Sequence, residues 1–279
     1  MVRVTLVNAD ELKQYPPEKV IGEFAAVCYD TNTDRIKPEN IAKRIIETDH
    51  GSPQSAVSFR FEVRGISRVE SHQHVRHNVG IRHNQRSQRY VDEDGCEFIT
   101  PPSIAQDPIA FLEYQWVMAQ TKKSYVRLKE LGIPGEDARY VLPNATETKI
   151  NSVFTYEALV HFCHKRLCNR AQWEIREVAR QMVAEVEKVS PMLASYLVPK
   201  CGYDGYCREK KGCCGLMPTK EEVLSGYHAQ EKMKRDLAEA MITHATDEKL
   251  FKKLNLDLVG VERVHTTKTT DNGRNHGDH

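Results

Sequence analysis

The most constraining feature of the sequence is a regular alternation of apolar and polar residues over positions 57–64. One face of such a strand is buried and the other is polar. The buried face would consist of Val57, Phe59, Phe61 and Val63. We expect Gly65 to end the strand. Ser67 and Glu70 then have the spacing of a capping box, which predicts a helix that begins at Arg68.

Helical patterns occupy much of the remaining chain. In each of them apolar residues recur three and four positions apart, so that they share one face. The helices are expected near residues 17–28, 41–50, 107–131, 156–168 and 171–186, after a short strand at 2–6. Trp116, on the longest helix, is expected in the core. These elements predict an α+β fold in which a mixed sheet packs with long helices.

Length and composition exclude several classes of protein. The 279 residues suffice for one large domain or two modest ones. The net charge of +1 disfavours a general nucleic-acid binder, which is usually basic over a whole face. No apolar run approaches the roughly 20 residues of a membrane span, and residues 1–4 do not resemble the start of a signal peptide. The eight scattered cysteines favour a reduced, cytoplasmic protein.

Positive charge is concentrated in residues 71–90. Arginines and histidines alternate there without a carboxylate: Arg76, Arg82, Arg86, Arg89, His72, His74, His77 and His83. Arginine suits bidentate recognition of phosphate or carboxylate, and Gly80 permits backbone conformations that a side chain would block. A solvated basic surface is the simpler alternative. The interleaved asparagine and glutamine donors favour a shaped pocket for a phosphorylated ligand, which we expect a loop over residues 78–88 to complete.

The same segment resembles the signature of the flavin-dependent thymidylate synthases. The matching residues are Gly65-Ile66-Ser67-Arg68, His72-Gln73, Arg76-His77 and Gln85-Arg86-Ser87-Gln88-Arg89-Tyr90. The hallmark of that family is Arg-His-Arg, a spacer and then Ser-x-Arg. The third position is Asn78 here, and the spacer is one residue longer than in the commonest form. The resemblance covers roughly residues 2–218 and implies the fold of this family.

Two further segments carry the resemblance. Residues 137–143 (DARYVLP) are similar to a family motif whose arginine, here Arg139, binds the nucleotide. In the helix expected at 156–168, Arg166 follows Phe162 by four positions and lies on the apolar stripe. An arginine on such a stripe needs an anion or several acceptors, unless it reaches solvent at the end of the helix. The family places an arginine here against the uracil ring, ahead of the motif found at 171–175 (AQWEI).

The resemblance implies a reaction and a set of site residues. The family uses FAD, electrons from NADPH and a carbon unit from methylenetetrahydrofolate to methylate dUMP, and it assembles as a homotetramer with shared sites. Arg166 would be catalytic. The residues implied for dUMP are Gln73, Arg76, Gln85, Arg86, Ser87, Gln88, Arg89, Arg139 and Arg166. Those implied for FAD are His50, Ser52, Arg76, His77, Asn78, Val79, Gln85 and His161.

Some features depart from the family or lie outside it. The family often has Asn-x-Arg as a flavin contact where this chain has Thr155-Tyr156-Glu157. Cysteines 201, 207, 213 and 214 have spacings that fit structural zinc poorly, so no metal is expected. We expect a synthase domain over 1–218, with the cysteine-rich segment 201–214 at its end. Residues 219–279 would form a helical extension, from 220 to about 251, and a disordered polar tail from 266.

Two alternative functions remain open from the sequence. One is a related flavoenzyme that methylates or hydroxymethylates another pyrimidine nucleotide, because the signature does not separate these reactions. The other is a non-enzymatic nucleic-acid-binding protein that uses the basic segment. Its affinity for random oligonucleotides would fall steeply with salt, and it would bind no flavin.

Overall fold

The computed structural model describes residues 1–209 and 211–244, with side chains to residue 236. The chain divides into two units, Met1–Lys220 and a second that begins at Glu221. The predicted domains 1–218 and 219–279 stay a prediction, and the expected polar tail lies outside the described residues. No helix in the described part of the chain is long and apolar enough to cross a membrane.

A four-stranded sheet forms the centre of the first unit. Its strands are β1 (Arg3–Leu6), β2 (Ser58–Ser67), β3 (Ile81–Gln85) and β4 (Glu147–Thr155). They lie in the order β1-β2-β4-β3, and every pairing between them is antiparallel. The α+β class is confirmed. The sheet is antiparallel rather than mixed, because no two neighbouring strands run in the same direction.

Helices surround this sheet. In the first unit they are α1 (Ala9–Gln14), α2 (Pro17–Cys28), α3 (Pro38–Glu47), α4 (Gly51–Gln54), α5 (Arg68–His74), α6 (Pro102–Ala105), α7 (Pro108–Glu130), α8 (Gly135–Ala138), a 3₁₀ turn (Arg139–Val141), α9 (Tyr156–Arg166), α10 (Trp173–Glu187), α11 (Pro191–Ala194) and α12 (Lys200–Asp204). Helix α13 (Lys220–His244) follows. Asp107 caps α7, with its carboxylate accepting from the backbone N–H groups of Ile109 and Ala110.

The core lies between the sheet and helices α9 and α10. Strand β2 contributes alternate side chains, as its sequence predicts, and the helices contribute their apolar stripes. Among the fully buried members are Phe59, Phe61, Val63, Phe154, Leu159, Phe162, Ile175, Val178 and Met182. Helix α10 also covers the edge strand β1, because Gln181 accepts from the Val4 N–H and donates to the Val2 carbonyl. These bonds satisfy backbone groups on an otherwise open sheet edge.

The junction of β2 and α5 is the part of the fold that positions the site. Strand β2 runs past Gly65 to Ser67, because Gly65 takes a φ of 67° and the pairing register shifts around it. A side chain at Gly65 would lie 2.4 Å from the Met1 carbonyl oxygen. Ser67 then caps α5 by accepting from the Glu70 N–H at 3.1 Å. The predicted strand therefore continues through its glycine instead of ending there.

Three other expectations differ from the structure. The segment 78–88, expected as a loop, contains strand β3. Strand β4 was not expected, because its inward residues include Thr148 and Ser152, which obscure the alternation of apolar and polar residues. Trp116 was expected in the core but is 61% exposed, because only part of the surface of α7 packs against the rest of the first unit.

Candidate active site

A cavity of about 820 Å³ opens between the turn after α5 and the helices α9 and α12. Its lining combines cations, imidazoles, carboxylates and small apolar groups. The lining residues are Asp49, Gln54, Ser55, Arg76, His77, Asn78, Val79, Gly80, Ile81, Thr155, Glu157, Ala158, Val160, His161, His164, Lys165, Lys200 and Tyr203. A volume of this size is within the range of about 300–1,000 Å³ that is typical of cofactor and ligand sites.

The turn between α5 and β3 delivers the central part of the basic segment to this cavity. Arg76, Asn78 and Val79 lie there, and they are exposed. Gly80 has a φ of 69°, and a Cβ at this position would lie 2.8 Å from Thr155 Oγ1. A glycine is therefore needed for the turn to approach the start of α9 so closely. The turn brings its polar side chains and backbone beside α9.

Arg166 lies at the end of α9, next to the cavity. It is half-buried, and its Nε donates to His77 Nε2 at 2.9 Å. One of its terminal nitrogens donates to the Gln73 carbonyl oxygen at 3.4 Å. Burial lowers the pKa of Arg166, and the charge of Glu70 opposes that shift. The expectation of several acceptors around this arginine is thus met by one imidazole and one carbonyl.

His77 is a neutral imidazole at pH 7. Burial, followed by the charges of Arg166 and Lys165, lowers its pKa to about 4. Because Nε2 accepts from Arg166, the ring proton of the neutral form must be on Nδ1. A neutral acceptor holds the guanidinium without cancelling its charge, which leaves that charge available to a ligand.

A buried polar network lies beneath this pair. Glu70 and His74 are fully buried and 3.0 Å apart between Oε1 and Nδ1. His74 Nε2 lies 3.2 Å from Ser152 Oγ, which is 2.8 Å from Nδ1 of His83. His83 Nε2 in turn donates to the His77 carbonyl oxygen at 2.7 Å. The network ties α5, β3 and β4 together and fixes the backbone that carries His77.

A second group of arginines lies at the other end of the basic segment. Arg86 lies 3.3 Å from the Glu93 carboxylate, and Arg89 lies 2.7 Å from that of Glu136. Arg139 donates through Nε to the Glu136 carbonyl at 3.0 Å. None of these arginines lines the 820 Å³ cavity. The basic segment therefore supplies two groups of cations rather than one receptor.

Comparisons with known proteins identify the family. A family model described as thymidylate synthase complementing protein matches residues 11–192. A flavin-dependent thymidylate synthase from Nitratidesulfovibrio vulgaris is 38% identical over 199 residues, which cover 68% of this chain and 81% of that protein. Another flavin-dependent thymidylate synthase, from Pyrococcus furiosus, is 38% identical over 234 residues, which cover 78% of this chain and 92% of that protein. The chain belongs to the flavin-dependent thymidylate synthase family. The family resemblance read from the basic segment is thereby confirmed, and the protein is an enzyme.

A solved structure supports the fold of this family. The crystal structure of a UMP/dUMP methylase, PolB from Streptomyces cacaoi bound with 5-Br dUMP, matches with a TM-score of 0.58. Its sequence is 21% identical, and the match covers 70% of this chain and 94% of that one. The flavin-dependent thymidylate synthase fold is therefore confirmed for the first unit.

Among the residues that the family resemblance implies for FAD, five line the cavity. They are Arg76, His77, Asn78, Val79 and His161. His50 lies beside it, at the start of α4, with Nδ1 3.0 Å from the Tyr29 hydroxyl. Ser52, two residues later, is exposed. Gln85 lies at the end of β3 and donates to the hydroxyl of Ser71 at 2.8 Å. Their roles in flavin binding stay a prediction.

The residues implied for dUMP are more dispersed. Gln73 supplies its carbonyl to Arg166. Ser87 and Gln88 follow β3 between Arg86 and Arg89, and the Ser87 hydroxyl accepts from the Arg89 N–H at 3.2 Å. None of Gln73, Ser87 and Gln88 lines the 820 Å³ cavity. Their roles in substrate binding also stay a prediction.

Several residues near the two groups were not identified from the sequence. Arg68 is half-buried beside Arg86 and Arg139, and its Nε has no hydrogen-bond partner within the described residues. Lys165, Lys200, His164 and Tyr203 line the cavity. Arg68 could have been identified, because it is part of the signature segment at residues 65–68. Lys200 and Tyr203 lie beyond the family match and had no sequence signal.

Glu157 marks a departure from the family within the cavity. Its carboxylate accepts from the Ser55 hydroxyl at 2.7 Å. The family often has an arginine here, so a cation is replaced by an anion. All eight cysteines are free thiols, and no group of three or more ligating side chains in residues 1–209 and 211–244 is arranged to hold a metal ion.

Proposed function

We propose that this protein is a thymidylate synthase that converts dUMP to dTMP. In the balanced reaction, dUMP, methylenetetrahydrofolate, NADPH and a proton give dTMP, tetrahydrofolate and NADP⁺. FAD, when bound, would carry the reducing equivalents from NADPH to the carbon unit. The observation that carries the proposal is the cavity with Arg166 and His77 at its side, in a chain of this family.

The cavity suits a flavin. Its volume of about 820 Å³ is large enough for a cofactor. Arg76 supplies a cation, Asn78 and His161 supply neutral polar groups, and Val79 supplies an apolar surface. His164 Nε2 is buried without a partner among the described residues, and a ligand could satisfy it. We propose that His50, Ser52 and Gln85 support this site from its border.

The second arginine group suits the phosphate of dUMP. Arg86, Arg89 and Arg139 would bind it, with Ser87 and Gln88 as neutral donors. The ion pair between Arg89 and Glu136 is about half exposed on both sides. Exposed pairs of this kind contribute at most about 1 kcal/mol. A phosphate that binds two guanidinium groups can therefore replace the carboxylate.

Arg166 is the proposed catalytic residue. Methylation at a pyrimidine carbon requires negative charge to develop on the ring and its carbonyl oxygens. A half-buried guanidinium stabilises such charge more strongly than one in solvent. Neutral His77 fixes the orientation of the guanidinium, and Gln73 fixes it from the other side. In this mechanism the protein contributes position and charge, while the cofactors supply the redox chemistry.

The assembly that we propose is a homotetramer with sites shared between subunits. Helix α7 exposes a row of apolar side chains, with Ile109 at 81%, Leu112 at 69% and Trp116 at 61%. A row of this kind typically marks a protein–protein contact. A second copy packed there would cover α7, and it could bring the arginine group of one subunit to the cavity of another. On its cysteine usage, we propose a cytoplasmic location.

The test is a product assay under anaerobic conditions. Protein reconstituted with FAD is mixed with NADPH, methylenetetrahydrofolate and either dUMP or UMP, and the nucleotide is analysed by mass spectrometry. We expect a product 14 Da heavier than dUMP, roughly the mass of one CH₂ unit. A hydroxymethyl product, or conversion of UMP alone, would favour the alternative flavoenzyme. The absence of bound flavin together with salt-sensitive binding of oligonucleotides would favour the nucleic-acid-binding alternative.

A further inference from the structure

One end of the cavity combines the end of α9 with a helix that lies beyond the family match. Helix α12 contributes Lys200 and Tyr203, and the end of α9 contributes His164 and Lys165. The family match ends at residue 192. Helix α12 therefore adds Lys200 and Tyr203 from outside the residues that the family model matches, and neither Arg166 with His77 nor the second arginine group accounts for them.

Lys200 is held firmly at this end. Its Nζ lies 2.6 Å from the Asp204 carboxylate and 4.5 Å from the centre of the Tyr203 ring. Asp204 is itself shared, because Arg208 binds its other oxygen at 2.5 Å. The Asp204 side chain is only 7% exposed. One carboxylate between two cations leaves positive charge at Lys200, and the aromatic ring limits the positions that its ammonium can take.

Two neighbours of Lys200 have polar groups without protein partners. Lys165 forms no ion pair within the described residues, although it lines the cavity. His164 packs its ring 5.0 Å from that of Tyr203, and its Nε2 is buried without a hydrogen-bond partner in the described part of the chain. Burial lowers the pKa of His164 to about 4, so that the ring is neutral at pH 7. A neutral imidazole can donate one hydrogen bond to an anion.

Among the other described lining residues, Arg76 is the one arginine or lysine, and two carboxylates line the cavity with it. Glu157 lines the side near α4, and Asn78 supplies no charge at the turn. Asp49 is the other carboxylate of the lining. A phosphate would be repelled by Glu157 and would find no cation at Asn78. Lys165 and Lys200 therefore offer the more favourable position for an anionic group.

We propose that Lys165, Lys200 and Tyr203 form a subsite for the phosphate-bearing part of the flavin dinucleotide. The proposal rests on the proposed function, since it assumes that the cavity holds FAD. Lys200 and Lys165 provide the charge, His164 provides a neutral donor, and Tyr203 shields the subsite from solvent. This subsite adds two cations to the one, Arg76, that the other side of the cavity supplies.

The test compares three ligands that share one ring system. FAD, FMN and riboflavin carry two phosphates, one phosphate and none, and their affinities are measured by fluorescence titration. In Lys200→Gln we expect FAD to bind about tenfold more weakly or worse, which is the loss of one charge-assisted hydrogen bond. Riboflavin should bind as it does to the unchanged protein. Lys165→Gln should act in the same direction, and it keeps the test decisive if Lys200→Gln fails to fold.

Arg208→Gln is the matched control. Arg208 binds the same carboxylate as Lys200 but does not line the cavity. Loss of the Arg208 guanidinium disturbs Asp204 without removing a cation from the cavity. The affinities for FAD, FMN and riboflavin should therefore each stay within about twofold of those of the original protein. An unchanged ratio of FAD to riboflavin affinity in folded Lys200→Gln and Lys165→Gln would overturn the subsite alone. If the unchanged protein binds none of the three flavins, the proposed function fails as well.

Discussion

The Nε of Arg166 donates to Nε2 of His77 across 2.9 Å, and this bond joins the end of α9 to the turn after α5. It places a cation beside the cavity with a partner that carries no charge at pH 7. A carboxylate partner would have neutralised the guanidinium and left it less effective toward a ligand. The orientation of Arg166 therefore depends on the protonation state of one histidine.

This dependence predicts a pH effect on stability. The pKa of His77 is about 4 in the folded protein, below its ordinary value of about 6.5, so the unfolded chain binds more protons between these values. His77 therefore adds to the free energy of unfolding above pH 6.5, and this contribution is lost as the pH falls toward 4. The free energy of unfolding is measured by urea denaturation at pH 7 and at pH 4.5. It should fall more between these pH values in the original protein than in His77→Gln.

The comparison with His77→Gln isolates this residue, because carboxylates and the other histidines titrate in both proteins. His164 has its pKa lowered to about 4 by burial, so His164→Gln is a second test of the same effect. Equal losses of stability in the original protein and in His77→Gln would mean that His77 is not held in its neutral form.

A second prediction concerns Asn78. This exposed residue lines the cavity where the family has an arginine. An arginine offers a charged fork, and charge-assisted bonds are roughly twice as strong as neutral ones. We expect Asn78→Arg to keep or tighten the binding of FAD, measured by fluorescence titration. A tenfold loss of affinity in folded protein would show that this turn does not face the cofactor.

A third prediction concerns the junction of β2 and α5. The Glu174 carboxylate, nearly fully buried, accepts from both the N–H and the hydroxyl of Ser67 at 2.6 Å. Glu174→Ala would leave the Ser67 N–H buried without a partner. That loss should lower the free energy of unfolding by about 1–3 kcal/mol. Urea denaturation measures this loss. Glu177→Ala on the same helix would be a poor control, because Glu177 is half-buried and accepts a hydrogen bond from Gln181.

A better control for that experiment is Glu187→Ala, at the exposed end of α10. No hydrogen bond or ion pair involves this side chain within the described residues. Its replacement should change the free energy of unfolding by less than about 0.5 kcal/mol. If Glu174→Ala is no more destabilising than this control, the two short bonds to Ser67 do not support the junction.

Local patterns in the sequence predicted the parts of the fold that depend on local interactions. The alternation at 57–64 gave strand β2, and Ser67 with Glu70 gave the start of α5. Strand β4 escaped detection because Thr148 and Ser152 point inward, and their burial depends on partners distant in sequence. Only the folded chain brings His74, His83 and Ser152 together.

In the site, too, the sequence predicted single residues but not the residues that they contact. The position of Arg166 on an apolar stripe indicated a half-buried cation, and the structure supplies its acceptors. Its partner His77 is 89 residues away, so that pairing could not be read from spacing along the chain. Lys200 was missed for a related reason. Nothing in its local sequence distinguishes it from a lysine on the surface, and its place at the cavity depends on how α12 packs on α9.

The most direct test of the proposed mechanism is the turnover of Arg166→Ala. Loss of one preorganised donor typically lowers turnover by about a hundredfold to a thousandfold. The variant should fold and bind FAD, yet form correspondingly less dTMP from dUMP in the anaerobic mass-spectrometric assay. Arg166→Lys should recover only part of the rate, because a point charge does not reproduce the planar fork.

Arg176→Ala is the matched control for this measurement. Arg176 lies on the neighbouring helix α10, and it donates to the Asn169 carbonyl at 2.6 Å on the exposed surface. Its loss should leave turnover within about twofold of the original. We expect full activity in Arg176→Ala and at most about one hundredth of it in Arg166→Ala. Unchanged turnover in folded, flavin-loaded Arg166→Ala would contradict it.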